Sequence, residues 1–577
     1  MNRPERHPIF DLSDRFVDEY ADLSPITATS LGIGDDHDRW DDLSPDGHEA
    51  RATLLRTRRV EVAALPASDD QFDRLGVRVF DELAGLQLDA HEYGDVYRDV
   101  GHLTGAFTSL REVFDVMDTE SEHGWRDIAT RLGTIDEPLA GWRTSLDEGM
   151  RRDLWGSRRQ AESMVTQLRA ASAEDGAFTG LVGGFAESGI EAPGLGDELS
   201  TALDRARAAC EDMATWFEQS YLPGAPERDA VGPERYARHA REFLGTDLDL
   251  DETYRWGWDH LLELRQEMDE IARSIDPDAT LTSVVQMLES DPAHGAASQD
   301  EFREAMLERS RQALRELDGT HFDVPDPIRE IDVRLAPKGA ALGAYYMPPS
   351  EDFSRPGTTW WSLGDAVSVP LWDEVTTAYH EGFPGHHLQC GIQAYLGDRL
   401  TRVHRLLFWL PGYGEGWALY AERLMRELGY FDRPEYVLGL LASNALRAVR
   451  ICIDIGSHLE LPIPDDVPFH PGASWSFDLG VEALQHYAFN DQALAESEIT
   501  RYLGWPGQAI SYKVGEREIL RLRDEARAAE GDAFDLKAFH ERVLGSGPVG
   551  LDHLREIVLS SGEGRPSPEP PPDATAL

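Results

Sequence analysis

The sequence predicts a mainly α-helical protein with one small β element, on three observations. Apolar residues recur at three-and-four spacing through most of the chain. Gly/Pro-rich breaks separate these runs. One stretch, about 329–364, has the texture of short β-rich segments. Segments 50–64, 73–88, 199–220 and 299–317 show the helical pattern most clearly, and GGFAESGIEAPGLGD (183–197) and LPGAPERDAVGP (222–233) read as breaks. IDVRLAP, GAYYMPP and GTTWWSL predict a sheet or hairpin, after which helical character returns at about 371 and runs to about 559. These textures divide the chain into a helical region, 1–328, expected to form a wall or lid of a cleft, a region 329–560 carrying the chemistry, and a Pro-rich tail, 561–577, expected to be disordered.

Among 577 residues, 106 are acidic and 55 basic, a formal charge of -51. That charge repels nucleic acid and anionic membranes, so neither is an expected partner. Only three of the basic residues are lysine, Lys338, Lys513 and Lys537, and an acidic, lysine-poor surface reads as adaptation to a salty interior. Three scattered cysteines make neither a disulfide framework nor a metal knuckle. The N-terminus shows no apolar stretch of leader length and no run reads as a membrane span, so a cytoplasmic location is expected.

The chemistry concentrates in VTTAYHEGFPGHHLQ (375–389). A zinc hydrolase needs two or three histidine or carboxylate ligands, an open position for water and a carboxylate that takes the water's proton. The common solution is HExxH on one helix, with the two histidines a turn apart. Here His380-Glu381 is followed by His386 and His387, two or three residues late. On an ideal helix His386 would point about 240° away from His380, and His387 would lie roughly 10 Å further along. Pro384 cannot sit in an unbroken helix, because it removes a hydrogen bond and clashes with the His380 carbonyl four residues back. A local bulge there would return one histidine to the metal, His386 by preference and His387 as the alternative. PGYGEGWALYAERL (411–424) supplies the third ligand, Glu415. Glu422, seven residues on, shares its face and is either an acceptor that orients an imidazole or a solvated helix carboxylate.

HEGFPGHHLQ, EGWALYAE, SYKVG and FDLKAFHERVLGSGPVGLDHL resemble the prokaryotic family known only as domain of unknown function 885. Its motifs in turn resemble gluzincin peptidases of the thimet oligopeptidase and carboxypeptidase Taq groups. The resemblance implies a helix-rich gluzincin-like fold with a small sheet beside the metal helix and a deep cleft. It implies one zinc ion held by His380, His386 and Glu415, with Glu381 as general base and Tyr512 of Ser511-Tyr512-Lys513-Val514-Gly515 as oxyanion donor. The implied function is zinc-dependent hydrolysis of short or unfolded peptides. Hydrolysis of non-peptide amides or esters, and a metal-free peptide binder, are the alternatives.

Further candidates lie in LASNALRAVRICIDIGSHLE (441–460). Arg447, Arg450, Asp454 and His458 form one stripe on an otherwise apolar helix. Arg447, Arg450 and His458 are therefore candidates for gripping a substrate, and an internal salt-bridge network is the competing reading. GTTWWSL (357–363) offers either a free edge to an extended peptide or an ordinary core strand. Tyr345-Tyr346 would shape the same cleft. His239, among charges in RYARHAREF, reads as a surface helix residue.

Overall fold

Capping residues set the helix starts that periodicity alone leaves loose. The run expected at 73–88 is a helix at Gln71–Glu92, opened by the Asp70 carboxylate accepting from the Phe72 and Asp73 amides. Ser298 caps Gln299–Leu317 in the same way. In the computed structural model, which describes residues 6–336 and 343–559, helices dominate and strands are few and short. The Pro-rich tail, 561–577, lies outside the described residues. One expected break is shorter than predicted, since the helix Ala177–Ser188 runs through Gly183 and Gly184.

The apolar stripes bury into two cores. One is built from residues between Val100 and Ala225 and includes Trp125, Trp142 and Phe217. The other gathers buried residues of the first helices, from Ile9 to Ala84, with others spread between Tyr236 and Val558. The chain thus leaves the larger core after Gln71–Glu92, completes the smaller one, and returns with Pro233–Leu244. The segment expected to form a wall or lid contributes to both.

The β-rich stretch forms a three-stranded sheet. Thr358–Ser362 lies in the middle, parallel to Asp332–Leu335 and antiparallel to Gly343–Met347. A free edge on GTTWWSL is therefore ruled out, because both of its sides are paired. Trp361 points into the core and donates to Glu374 (3.0 Å), which ties the sheet to the helix that follows. The helix Pro434–Leu459 is long and apolar enough to cross a membrane, contrary to the sequence reading, but 72% of its apolar window is buried inside the protein. It is the central helix of the larger core, and its apolarity serves packing.

Candidate metal centre

The irregular spacing between the histidines is absorbed by ending one helix and starting another. Glu374–Glu381 stops at Gly382, and His386 opens the helix His386–Leu396, so the break spans Gly382-Phe383-Pro384-Gly385. The expected bulge inside one helix is thus a full break, because Pro384 cannot be accommodated by either helix. Gly385 folds back onto the first helix so closely that a Cβ there would sit 1.9 Å from the His380 carbonyl oxygen. Phe383 is buried, and the Trp417 indole donates to the Pro384 carbonyl (2.9 Å), pinning the break against Pro411–Glu427.

This break brings His380, His386 and Glu415 together, with one donor atom from each lying within 4.8 Å of the others. Glu415 Oε2 is 3.2 Å from His380 Nε2 and 3.6 Å from His386 Nε2. Behind them, Glu422 accepts from His380 Nδ1 (2.7 Å) and from the Thr376 hydroxyl, and Glu422 is fully buried. It is an orienting acceptor and not a solvated helix carboxylate. His387 turns away: its Nε2 meets the Ile328 carbonyl (2.8 Å) and its Nδ1 the Tyr346 hydroxyl (3.2 Å). Burial lowers His387 to about 4, so it is a neutral core histidine with both nitrogens occupied. The alternative ligand His387 is therefore not part of the trio.

The electrostatics suit a cation. Burial opposes a charge on His380, but Glu415 and Glu422 outweigh it and push the imidazole up to about 10. Burial also opposes charge on Glu415, and His380 and His386 overcome it and hold the carboxyl well below the usual range. Two imidazoles and a carboxylate, one imidazole fixed from behind, are the donor set that zinc takes when a position is left for water. His386 turns its Nε2 toward Glu415, and its buried Nδ1 has no hydrogen-bond partner. The residues therefore fit a zinc ion. Glu381, adjoining the trio, has its carboxyl raised by burial against the opposing pull of His380 and His386.

Tyr512 comes within the electrostatic influence of the trio because two helices touch backbone to backbone. A Cβ on Gly416 would sit 2.6 Å from the Gly515 carbonyl carbon, and one on Gly515 2.0 Å from the Gly412 carbonyl oxygen. This contact sets Ser511–Glu530 against Pro411–Glu427 and puts the Tyr512 phenol in the field of Glu415, the largest influence raising its pKa, ahead of burial.

The stripe on Pro434–Leu459 divides by depth. Arg447 is hydrogen-bonded within its own helix to Ser443, and its charge reaches Glu381, Glu422 and Tyr512. Arg450 is bound to Glu498 (2.8 Å) and Tyr502 (2.8 Å), and its guanidinium lies 5.3 Å from the Tyr512 ring centre. Asp454 and His458 are fully buried, away from the trio. Asp454 accepts from the Tyr236 hydroxyl (2.8 Å) and the Gly507 amide (2.9 Å), and His458 pairs with the Tyr502 carbonyl (3.0 Å). His458 is thus a packing residue, not a substrate contact. Tyr346 supports His387, and Tyr345 stacks on Trp360 on the outer face of the sheet. His239 is not a plain surface residue but a half-buried member of a charge cluster around Asp95.

Thr376, Trp409 and Trp417 were not anticipated. Thr376 could have been found, since it lies four residues before His380 on the same helix face. Trp409, whose ring lies 6.4 Å from His386 and is 43% exposed, has no distinguishing sequence context.

With fold and site in view, the chain is a helical protein whose signature motifs converge on one His/Glu cluster. It belongs to the family of bacterial proteins of unknown function DUF885, whose model matches residues 25–558. A solved structure from Colwellia psychrerythraea, described as a "putative lipoprotein", is similar at 23% identity with a TM-score of 0.79, over 95% of this chain and 98% of that one. A second, from Shewanella oneidensis and described as a "putative lipoprotein of unknown function", is similar at 19% identity with a TM-score of 0.74, over 96% and 99%. At these identities the likeness concerns the fold. No curated protein matches the chain. Both descriptions overturn the expectation of a cytoplasmic location.

Proposed function

We propose that this protein is a zinc-dependent hydrolase, and specifically a peptidase acting on short or unfolded peptides. The observation that carries the reading is the convergence of His380, His386 and Glu415, from three separate helical segments, with Glu381 beside them. The likeness of HEGFPGHHLQ and EGWALYAE to gluzincin motifs supports the choice of reaction. The lipoprotein description of the two solved structures above supports a membrane-anchored, non-cytoplasmic setting.

Zinc held by these three side chains would supply Lewis acidity to a water and to the substrate carbonyl. The protein's own groups do the rest. Glu381, its carboxyl raised by burial, takes a proton from the attacking water and gives it to the departing amine. Tyr512 donates its phenolic hydrogen to the oxyanion, and its raised pKa keeps that hydrogen in place at neutral pH. Arg447 faces the site with a charge suited to a substrate carboxylate. Glu422, itself held by Thr376, fixes the His380 ring so that Nε2 faces Glu415, the side from which it would hold zinc.

The test is bound metal per chain, with cleavage of a peptide panel, for the wild type and single variants. About one zinc is expected in the wild type and in His387→Ala, and none in His380→Ala, His386→Ala or Glu415→Ala. Glu381→Gln should keep zinc and lose roughly 10²–10⁴-fold in rate. Absence of zinc from the wild type after incubation with the metal would refute the reading. Cleavage of small amides or esters but of no peptide would reassign the substrate.

A further inference from the structure

In a chain with about two acidic residues for each basic one, the ordinary environment of an arginine is an excess of carboxylates. One place inverts that balance. The helix Pro233–Leu244 presents Arg235, Arg238 and His239 at spacings of three and four, hence on one face. They converge on Asp95, which opens the short turn just beyond the helix Gln71–Glu92, and Arg98 joins from the end of that turn. Arg98 lies 2.8 Å from the Asp95 carboxylate, Arg235 3.2 Å, Arg238 3.5 Å and His239 3.8 Å. Among the described residues no other carboxylate comes within 4.0 Å of the three arginines, and His239 alone has a second, Glu242 at 3.4 Å.

These side chains are 13–25% exposed, so solvent screens them weakly although each keeps some access to water. Burial, with the neighbouring charge of Arg98, brings Arg235 down to about 10 against the opposing pull of Asp95. Burial also opposes charge on His239, but Asp95 and Glu242 outweigh it and raise the imidazole. The buried His239 Nε2 has no hydrogen-bond partner. Arg238 lies 3.8 Å over the centre of the Tyr93 ring, which is half exposed and forms a rim. Three arginines thus face one carboxylate, Asp95, an excess of two positive charges before His239 and Glu242 are counted, and three guanidinium forks offer far more donors than Asp95 has lone pairs.

We propose that Arg98, Arg235, Arg238 and His239 form a binding site for a doubly charged oxyanion of the phosphate class, seated where the chain passes from the larger core to the smaller and back. A phosphate matches the surplus charge, and its tetrahedral oxygens fit guanidinium forks better than a spherical halide does. Because Asp95 and Arg98 lie on the outgoing connection and the other three on the returning helix, a bound oxyanion clamps the two passages together. The site is separate from the metal cluster and independent of its chemistry.

The experiment titrates the full-length protein with inorganic phosphate and, in parallel, with a simple phosphomonoester, at fixed ionic strength made up with KCl, reading melting temperature and ³¹P NMR linewidth. Saturable stabilisation and line broadening by either ligand are expected, with Arg238→Gln weakening the midpoint roughly tenfold or more. Tighter binding of the monoester identifies the source as a phosphorylated metabolite, and equal or weaker binding identifies the free ion. Asp95→Asn separates a ligand site from an internal ion pair. Removing the central carboxylate should tighten phosphate binding, even though the unliganded protein melts lower. A response that never saturates and is unchanged in Arg238→Gln overturns the proposal. So does an Asp95→Asn protein that is destabilised and binds no phosphate.

Discussion

At the scale of single residues, the His380, His386 and Glu415 trio depends on side chains that stand behind it. Glu422 and Thr376 form a buried relay to His380 Nδ1, which fixes both the ring's orientation and which nitrogen faces inward. Replacing Glu422 by Gln, or Thr376 by Val, should weaken zinc affinity by about 10–100-fold while leaving the fold intact, as measured by competition with a chromophoric chelator. An unchanged affinity in both variants would mean that the relay serves packing alone. Asp454 makes a different prediction. Burial raises its carboxyl to about 7, against the hydrogen bonds from Tyr236 and Gly507. A carboxyl whose folded pKa lies above its unfolded value contributes stability below about pH 4, and that contribution is lost as pH rises to about 7. Asp454→Asn, which cannot ionise, should therefore gain on the wild type across that window by at most about 4 kcal/mol. Parallel melting-temperature profiles from pH 4 to 8 would disprove the assignment. Most of the candidate site was legible at this scale because histidine and glutamate in such a pattern have few other uses. The choice between His386 and His387 was not, since it turns on the backbone path through Gly382–Gly385 and on an Ile328 carbonyl about 60 residues away.

At the scale of elements, the site is an intersection of helices held at backbone contact. The crossing of Pro411–Glu427 and Ser511–Glu530 works because Gly412, Gly416 and Gly515 leave no side chains between them. Gly416→Ala forces the two helices apart and should cost about 1–3 kcal/mol in stability, seen as a lower melting temperature. It should also slow peptide cleavage with zinc content unchanged, because Tyr512 moves relative to Glu415. Equal loss of activity and of zinc would show that the crossing supports the cluster as a whole. Helix positions were largely readable, because apolar periodicity and capping residues agree along the chain. The strand GTTWWSL could not be placed at the centre of its sheet from sequence, since edge and central strands of five residues share one pattern. Pro434–Leu459 was likewise ambiguous, as a helix buried on nearly all sides carries the composition of a membrane span.

At the scale of the whole molecule, the charge of -51 works against compaction, and added salt relieves it. The melting temperature should rise steadily as KCl goes from low to molar concentration. A flat profile would show that the surface ion pairs already balance the repulsion. The composition made this expectation readable, whereas the partition into two cores was hidden, because both are built from the same kind of amphipathic helix. That partition has a consequence for how the protein is made. The smaller core is contiguous in the chain, so it is complete once residue 225 has left the ribosome. The first three long helices can by then pack on one another, as Phe16 does on Phe80, but the apolar surface they turn toward Arg402–Leu406 is still uncovered. Synthesis therefore yields a half-finished chain with a folded middle and a sticky beginning, and it is during translation, more than in the finished protein, that this molecule needs a chaperone.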